Sequence, residues 1–425
     1  MAIEIAITNL SHDCRGVGHL NGKTVFVDGA LPDEIISAEI TKKHSRYNNA
    51  RLIEVIKPSP DRVVAKCSHF DICGGCQLQH LSPEKQILLK QDNLLNQLKH
   101  LGQVEPKEIL EPLTGPLWGY RNKARLSVKY VEKKQKLMIG FHEKMGRYIA
   151  DLNHCEVLDP RVGLKFELLR EMIASLSIYK QLPQIEVACD KDNVALIFRH
   201  LAPITESDKH ILENFGKEHN FKIYLHPNKP DSISPMEDLS YKYKDITFKF
   251  NPQDFTQINP EINQKMLSLA IQLLDLKPDD KVLDLFCGLG NFTLPISTLC
   301  SHVTGVEGDK NMVARARQNA ELNHIKNSEF CFANLFEPDI SMPWMQKKYD
   351  KVLLDPPRTG AIEILSMMPK WQPKIIVYVS CNPATLARDA GELVNKYGYT
   401  LIKAGVMDMF PHTKHVESIA VFIKG

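Results

Sequence analysis

The chain has 425 residues, 43% hydrophobic and 24% charged, with a formal net charge of +2. That length exceeds one ordinary core, so two or three domains are expected. The near-neutral balance excludes a uniformly basic nucleic-acid binder and leaves any basic surface local. No apolar run approaches the roughly 20 residues that span a bilayer. The opening residues, MAIEIAITNLSHD, lack the basic region and long apolar stretch of a signal peptide. The expectation is a cytoplasmic protein with no membrane partner and no obligate protein partner. Its ten cysteines are then thiols or metal ligands rather than disulfides.

Residues 1–58 read as short strands. IEIAITNL, KTVFVDGA, DEIISAEITK and NARLIEVIK alternate with breaks at Gly16, Gly18, Asn21-Gly22 and Pro32. Such spacing suits a small β-barrel. Lys42, Lys43, Arg46 and Arg51 gather around Tyr47 with no acid between 40 and 53. This basic loop with an aromatic fits either RNA backbone or a solvated turn. KPSPDR (57–62) marks a boundary.

The cysteines begin at once. CSHFDICGGC sets Cys67, Cys73 and Cys76 in a C-x5-C-x2-C pattern, with Gly74 and Gly75 freeing the backbone to wrap a metal centre. Cys155, in DLNHCEVLDP, is the best fourth ligand. Four thiolates fit a [4Fe–4S] cluster or a structural zinc; the x5 spacing is unusual for zinc and favours iron–sulfur. It does not match the C-x3-C-x2-C of radical enzymes. Ser82-Pro83 predicts a helix start, with Ile87, Leu94, Leu98 and Leu101 on one apolar face. Residues 118–250 alternate strands and helices and include YRNKARLSVKY (120–130), a second candidate RNA surface. The segment 59–250 is read as a central α+β domain.

From 251 onward KVLDLF, HVTGVE, EFCFANLF, DKVLLD and KIIVYVS predict strands separated by helices, and YTLIKAGVMDMF and VESIAVFIK predict two more with no helix between. The fold class is α/β, with a Rossmann-like, mostly parallel sheet over 251–425. Ligands in such sheets bind at the carboxyl ends of the strands. DLFCGLGNFT (284–293) supplies Gly288 and Gly290 for a tight turn, but Thr293 stands where a dinucleotide fingerprint needs a third glycine. Glu307, Asn334 and Asp355 close the next three strands. A carboxylate for ribose hydroxyls, an amide for adenine and a further acid together suit S-adenosylmethionine.

DPPRTG resembles the Asp/Asn-Pro-Pro-aromatic loop of amine methylases, except that Arg358 replaces the ring. Cys381, ending KIIVYVS ahead of Asn382-Pro383, points to another chemistry. A thiolate adding to C6 of uracil turns C5 into a nucleophile for an activated methyl group, and a base then removes the C5 proton. Glu417, just before the last strand, is the expected base. The helix that follows Cys381 is expected to favour the thiolate. His412 and His415 are read as either structural or positioning residues. Cys14, Cys189, Cys287, Cys300 and Cys331 are read as packing residues.

On CSHFDICGGCQLQH, DLFCGLGNFTLPIS, VLLDPPRTGA, VSCNPATLARD and FPHTKHVES, nearly the whole chain resembles the RNA 5-methyluridine methyltransferase family, closest to members acting on 23S ribosomal RNA. The resemblance implies an N-terminal OB-like TRAM barrel that binds RNA. It implies a [4Fe–4S] cluster on Cys67, Cys73, Cys76 and Cys155. It implies S-adenosyl-L-methionine contacts from Gln257, Phe286, Asn291, Glu307, Asn334 and Asp355. It implies Cys381 as nucleophile and Glu417 as base. Where such barrels carry Pro-Gly-Glu, this chain has Pro32-Asp33-Glu34; a left-handed turn that Asp tolerates is expected there. Two other classes compete: a redox or radical iron–sulfur protein, and a non-catalytic RNA-binding assembly factor.

Overall fold

Strand-forming residues fill the first 57 positions and pair first with one another. In the computed structural model, which describes residues 2–144, 146–227 and 236–425, β1 (Ala2–Leu10), β2 (Gly16–Leu20), β3 (Lys23–Asp28), β4 (Ile35–Lys43) and β5 (Tyr47–Lys57) close into a barrel in the order β1-β2-β3-β5-β4. Alternate residues such as Ile5, Ile7, Val25, Val27, Ile36 and Ala38 fill its interior. The sequence pattern gave four strands because Gly16 and Gly18 looked like breaks. Both lie inside β2, where a Cβ on Gly18 would stand 2.7 Å from the Ala6 carbonyl oxygen and one on Gly16 2.9 Å from Ala30 Cβ. They are strand glycines that admit a close backbone neighbour. Asp33 takes the left-handed turn, at φ 68°. Next to it, buried Glu34 accepts from the Leu31 amide and pairs with Arg62 at 2.5 Å, pinning the segment after β5 to the barrel.

The helix Pro83–Gln97 follows. Ser82 occupies its N-cap position but makes no side-chain capping bond. Ile87, Leu94 and Leu98 are buried, whereas Leu101 is 60% exposed. The predicted stripe fails at Leu101 because a π-turn over Leu98–Gly102 rotates the last residues off the 3.6-residue period. Although this helix lies within the 59–250 segment, it packs into the same core as Leu386 and Leu393 of the C-terminal sheet. The short β6 (Glu108–Ile109) joins that sheet's edge.

The middle of the chain builds a second sheet in the order β11-β10-β9-β7-β8, from β7 (Lys123–Val131), β8 (Lys136–Gly140), β9 (Gln184–Cys189), β10 (Val194–His200) and β11 (Phe221–Pro227). On β7, Ala124, Leu126 and Val128 enter the core while Arg125 and Lys129 face outward, so only part of the basic stretch is exposed. A hairpin, β12 (Leu239–Tyr243) with β13 (Ile246–Phe250), leads to the last unit.

There β14 (Lys281–Leu285), β15 (His302–Glu307), β16 (Ser328–Phe332), β17 (Lys351–Leu354) and β18 (Ile375–Ser380) run parallel, in the order β16-β15-β14-β17-β18. β20 (Glu417–Lys424) then inserts antiparallel between β18 and β19 (Tyr399–Met407). Successive residues feed opposite cores: Val377 and Val379 pack on one face, Ile376 and Tyr378 on the other. That continuous burial explains the near-unbroken apolar runs. The order reverses beside β14, which places a binding crevice at its carboxyl end. Among the described residues, no helix is long and apolar enough to cross a membrane.

Replacing Asp33 by Ala should cost about 1 kcal/mol of stability, since a β-carbon without a local hydrogen-bonding group is penalised at this φ. Asp33→Gly should be close to neutral. Chemical denaturation of the two variants beside the parent measures both.

Candidate active site

Strand pairing places the thiol. β18 and β20 pair with Ser380 opposite Ser418. The paired register ends there; Cys381 is the residue after β18 and Glu417 the first residue of β20. The charge of Glu417 bears on the Cys381 thiol. Asp355 follows β17, the neighbour of β18. A thiol and two carboxylates from three strand ends therefore meet at one rim.

Their environment changes their acidity. Glu417 is 4% exposed. Burial, then the charge of Asp355, holds its carboxyl well above the usual carboxylate range, with Arg358 opposing. Burial raises Asp355 to about 7, and Glu307 adds to the effect. Burial, then Glu417 and Asp355, pushes the Cys381 thiol up to about 11. The expected thiolate is thus not favoured in the ligand-free protein. The helix Pro383–Asn395 does begin beside Cys381, but the Asn382 side chain accepts from its Ala384 amide, and burial with two nearby acids outweighs the helix field. Arg358 sits 3.3 Å from His415 Nδ1, while its carbonyl accepts from Asn382 Nδ2 at 2.9 Å. This rim has more acids than fixed cations.

The glycine loop adjoins it. Phe286 holds φ 64° and Gly288 φ 55°. A left-handed phenylalanine is a genuine outlier, held by the bond from its amide to the Val306 carbonyl at 2.9 Å. Glu307 accepts from the Gly288 amide at 3.0 Å and from the Asp309 amide at 2.9 Å. The helix-capping role belongs to Asp309, not Glu307. Asn334 lies two residues past the end of β16 rather than at it, and its Oδ1 accepts from the Phe336 amide as an Asx turn. Asn291 is held by Tyr241 Oη at 2.7 Å and by Asn263 at 2.9 Å. Gln257, Asn263 and Tyr241 line one cavity of about 870 Å³ beside this loop. Sequence reasoning missed Tyr241 and Asn263, whose roles depend on the hairpin and a helix meeting the loop. It also missed Asp284, fully buried on β14, which accepts from Thr293 Oγ1 at 2.5 Å and ties the loop to its strand.

A second cavity, of about 1070 Å³, runs from the barrel to the segment before Glu417. Cys67, Cys73, Cys76 and Cys155 all line it, as do Arg15, Lys42, Arg121, Lys144, Arg358 and Lys414. The cysteine turn is built for close approach: a Cβ on Gly74 would stand 2.8 Å from the His142 carbonyl oxygen, and the Gly75 amide donates to Cys73 Sγ at 3.4 Å. Burial raises all four thiols, Cys76 to about 12 and Cys155 to about 11; neighbouring cysteines add to it at Cys73, Cys76 and Cys155, and Glu156 at Cys67. A cation among them would relieve that cost by displacing the protons. Among the described residues, the metal-type group with ligand atoms all within 4.8 Å of one another is Cys67, His69 and His154, which holds one thiol only. Four ligands of one zinc would lie within about 4 Å of each other.

A glycine loop on a Rossmann-like sheet, with acids at successive strand ends and a barrel alongside, defines the class of S-adenosylmethionine-dependent methyltransferases fitted with an RNA-binding module. The family model described as tRNA (Uracil-5-)-methyltransferase matches residues 120–424, and a TRAM domain matches residues 2–53. The chain belongs to this uracil-C5 methyltransferase family. It is 49% identical over 423 residues to a protein of Methylococcus capsulatus named 23S rRNA (uracil(1939)-C(5))-methyltransferase RlmD, covering 98% of this chain and 96% of that one. A protein of the same name from Legionella pneumophila is 49% identical over 428 residues, covering 99% and 96%. Among solved structures, the Pyrococcus abyssi tRNA (uracil-54, C5)-methyltransferase in complex with S-adenosyl-L-homocysteine superposes with a TM-score of 0.78 at 25% identity, covering 99% of this chain and 100% of that one.

The acidity of Cys381 tests the electrostatics directly. Glu417→Gln should move the thiol's titration midpoint downward from about 11, because a like charge that opposes ionisation is gone. Alkylation rate against pH, read by mass spectrometry on the peptide containing Cys381, measures it. An unchanged midpoint would mean the two groups do not interact.

Proposed function

We propose that this protein transfers the methyl group of S-adenosylmethionine to C5 of one uracil in 23S ribosomal RNA, of the uracil-1939 type, through a covalent adduct between Cys381 and C6. The observation that carries the reading is the meeting of Cys381, Glu417 and Asp355 at adjacent strand ends beside the glycine loop. Ribosomal RNA is favoured because the near-full-length relatives at 49% identity bear that name, while the transfer-RNA enzyme stands at 25%. The six basic residues lining the larger cavity support an RNA path from the barrel to the thiol.

Cofactor contacts are assigned to Gln257, Phe286, Asn291, Glu307, Asn334 and Asp355. A sulfonium adds a second cation beside Arg358 at the acidic rim, and lowers the pKa of the acids it faces. With uracil out of any stack, Cys381 Sγ adds to C6 and the resulting enolate C5 takes the methyl carbon. Glu417 then accepts the C5 proton. Burial suits that role, since a carboxylate with a raised pKa is a stronger base. Cys67, Cys73, Cys76 and Cys155 would hold a [4Fe–4S] cluster, which would play a structural role in shaping the central unit. The division of labour is an RNA-binding barrel (1–58), a central cluster-bearing unit (59–250) and the methyltransferase unit (251–425). Residues 1, 145 and 228–235 of those ranges lie outside the described residues.

Labelled cofactor should place one methyl group on a single uracil of unmodified 23S ribosomal RNA and none on transfer RNA, and Cys381→Ala should abolish it. Transfer to transfer RNA instead would overturn the substrate and keep the chemistry. Full activity in Cys381→Ala would overturn the chemistry. Calorimetry in buffers of different ionisation enthalpy gives a second check. At pH 7, S-adenosylmethionine should release protons on binding, because its positive charge favours ionised Asp355, which titrates near 7 without it. Uncharged-sulfur S-adenosylhomocysteine should release fewer, and Asp355→Asn should remove most of the difference.

A further inference from the structure

The segment that delivers Glu417 to the thiol is gripped mainly from outside its own unit. Residues 408–416 connect β19 to β20. Lys90, buried on the helix Pro83–Gln97, pairs with buried Asp408 at 2.8 Å and donates to the Phe410 carbonyl at 3.0 Å. Gln86, one helical turn earlier on the same face, accepts from the His412 amide at 2.9 Å, and its Nε2 lies 3.2 Å from His412 Nδ1. Tyr120 Oη donates to the Pro411 carbonyl at 2.9 Å.

The cysteine turn completes the grip. The amides of Gln77 and Leu78, directly after Cys76, both donate to the His412 carbonyl at 2.9 Å. The Gln77 side chain bridges the two segments: its Nε2 donates to the Gly74 carbonyl at 2.7 Å, and its Oε1 accepts from the Lys414 amide at 3.2 Å. His412 is 2% exposed, stacks on Trp118 at 4.0 Å between ring centroids and holds φ 66°. A non-glycine residue in this conformation persists only where its surroundings over-determine it. A shift of the turn between Cys73 and Leu78 is therefore a shift of His412, five residues before Glu417.

We infer that Gln77 and His412 are positioning residues that make proton removal by Glu417 depend on the order of the cysteine turn. The inference rests on the assignment of Cys381 as nucleophile and Glu417 as base. The step concerned is release. The C5–H bond breaks and its proton goes to a Glu417 oxygen; the electron pair forms the C5=C6 double bond; the C6–S bond breaks and its electrons return to Cys381 sulfur. The earlier steps use Cys381, directly after β18, and the loop 286–291, neither of which bonds to Gln77 or His412. Loosening the joint should slow release and leave methyl transfer intact, so the methylated RNA stays attached to the protein.

The test uses full-length Gln77→Ala, His412→Ala and His412→Asn, each checked for parental iron and sulfide content and melting temperature. Asparagine tolerates the left-handed backbone, so His412→Asn separates loss of the ring from loss of the turn and should fall between the parent and His412→Ala. In Gln77→Ala, methyl incorporation in a single turnover should stay within about twofold of the parent. Steady-state turnover should fall about 10- to 100-fold, the cost of misplacing a reacting group by the order of 1 Å. The protein–RNA adduct on denaturing gels should rise in proportion, and amide exchange over 410–417 should quicken. Chelating the metal from the parent protein should reproduce both signatures. Parental turnover and adduct level in Gln77→Ala and His412→Ala, or an equal loss of single-turnover methylation and release, would overturn the inference. Absence of any adduct in Glu417→Gln would instead overturn the nucleophile-and-base assignment beneath it.

Discussion

Everything at the catalytic rim depends on one feature of topology, the insertion of β20 antiparallel beside β18. A parallel neighbour would bring its own carboxyl end to the rim. An antiparallel one brings its first residue, and here that residue is Glu417. The pairing brings a buried carboxylate to the strand end that the thiol follows. The cost is electrostatic: Cys381, Glu417 and Asp355 crowd together with Arg358 as the opposing charge. A protein that holds such a cluster resists ionisation until a cation arrives. On the proposed reading, the sulfonium of the methyl donor would join that electrostatic balance as well as supply the methyl group.

The rest of the fold supports this rim from three sides. The glycine loop is stiffened by Asp284 and Thr293 behind it and by Tyr241 and Asn263 beside it. The helix Pro83–Gln97 spans two jobs, filling the sheet's core with Ile87 and Leu94 and holding the segment before Glu417 with Gln86 and Lys90. The cysteine turn and the barrel face the same large cavity, so the surface proposed for RNA and the proposed metal centre share a wall.

Much of this was legible in the sequence because the chemistry is local. The strand–GLG–helix passage, the acids at strand ends and Cys381 before Asn-Pro each declare themselves within a dozen residues. Asp33 in its left-handed turn was legible for the same reason. What was not legible depends on partners distant in the chain. Gly16 and Gly18 mimic breaks until β1 lies against them. Leu101 fits the helical period until a π-turn shifts it. The thiol's acidity was misjudged because the helix beside it is visible in sequence, while the burial and the carboxylates that overrule it are supplied by other strands. Gln86, Lys90 and Tyr120 carry no motif, and their roles appear only when residues some 300 positions later fold onto them.

The central claim is that Cys381 forms a bond to the base it methylates. The most direct measurement supplies substrate RNA in which the target uracil is 5-fluorouracil, whose fluorine cannot leave as a proton does, and maps the product by mass spectrometry after denaturation and digestion. The account predicts one stable conjugate, joining the peptide that contains Cys381 to a nucleotide carrying both the fluorine and the transferred methyl group. Methylated RNA free of protein, or a conjugate on any other side chain, would contradict it.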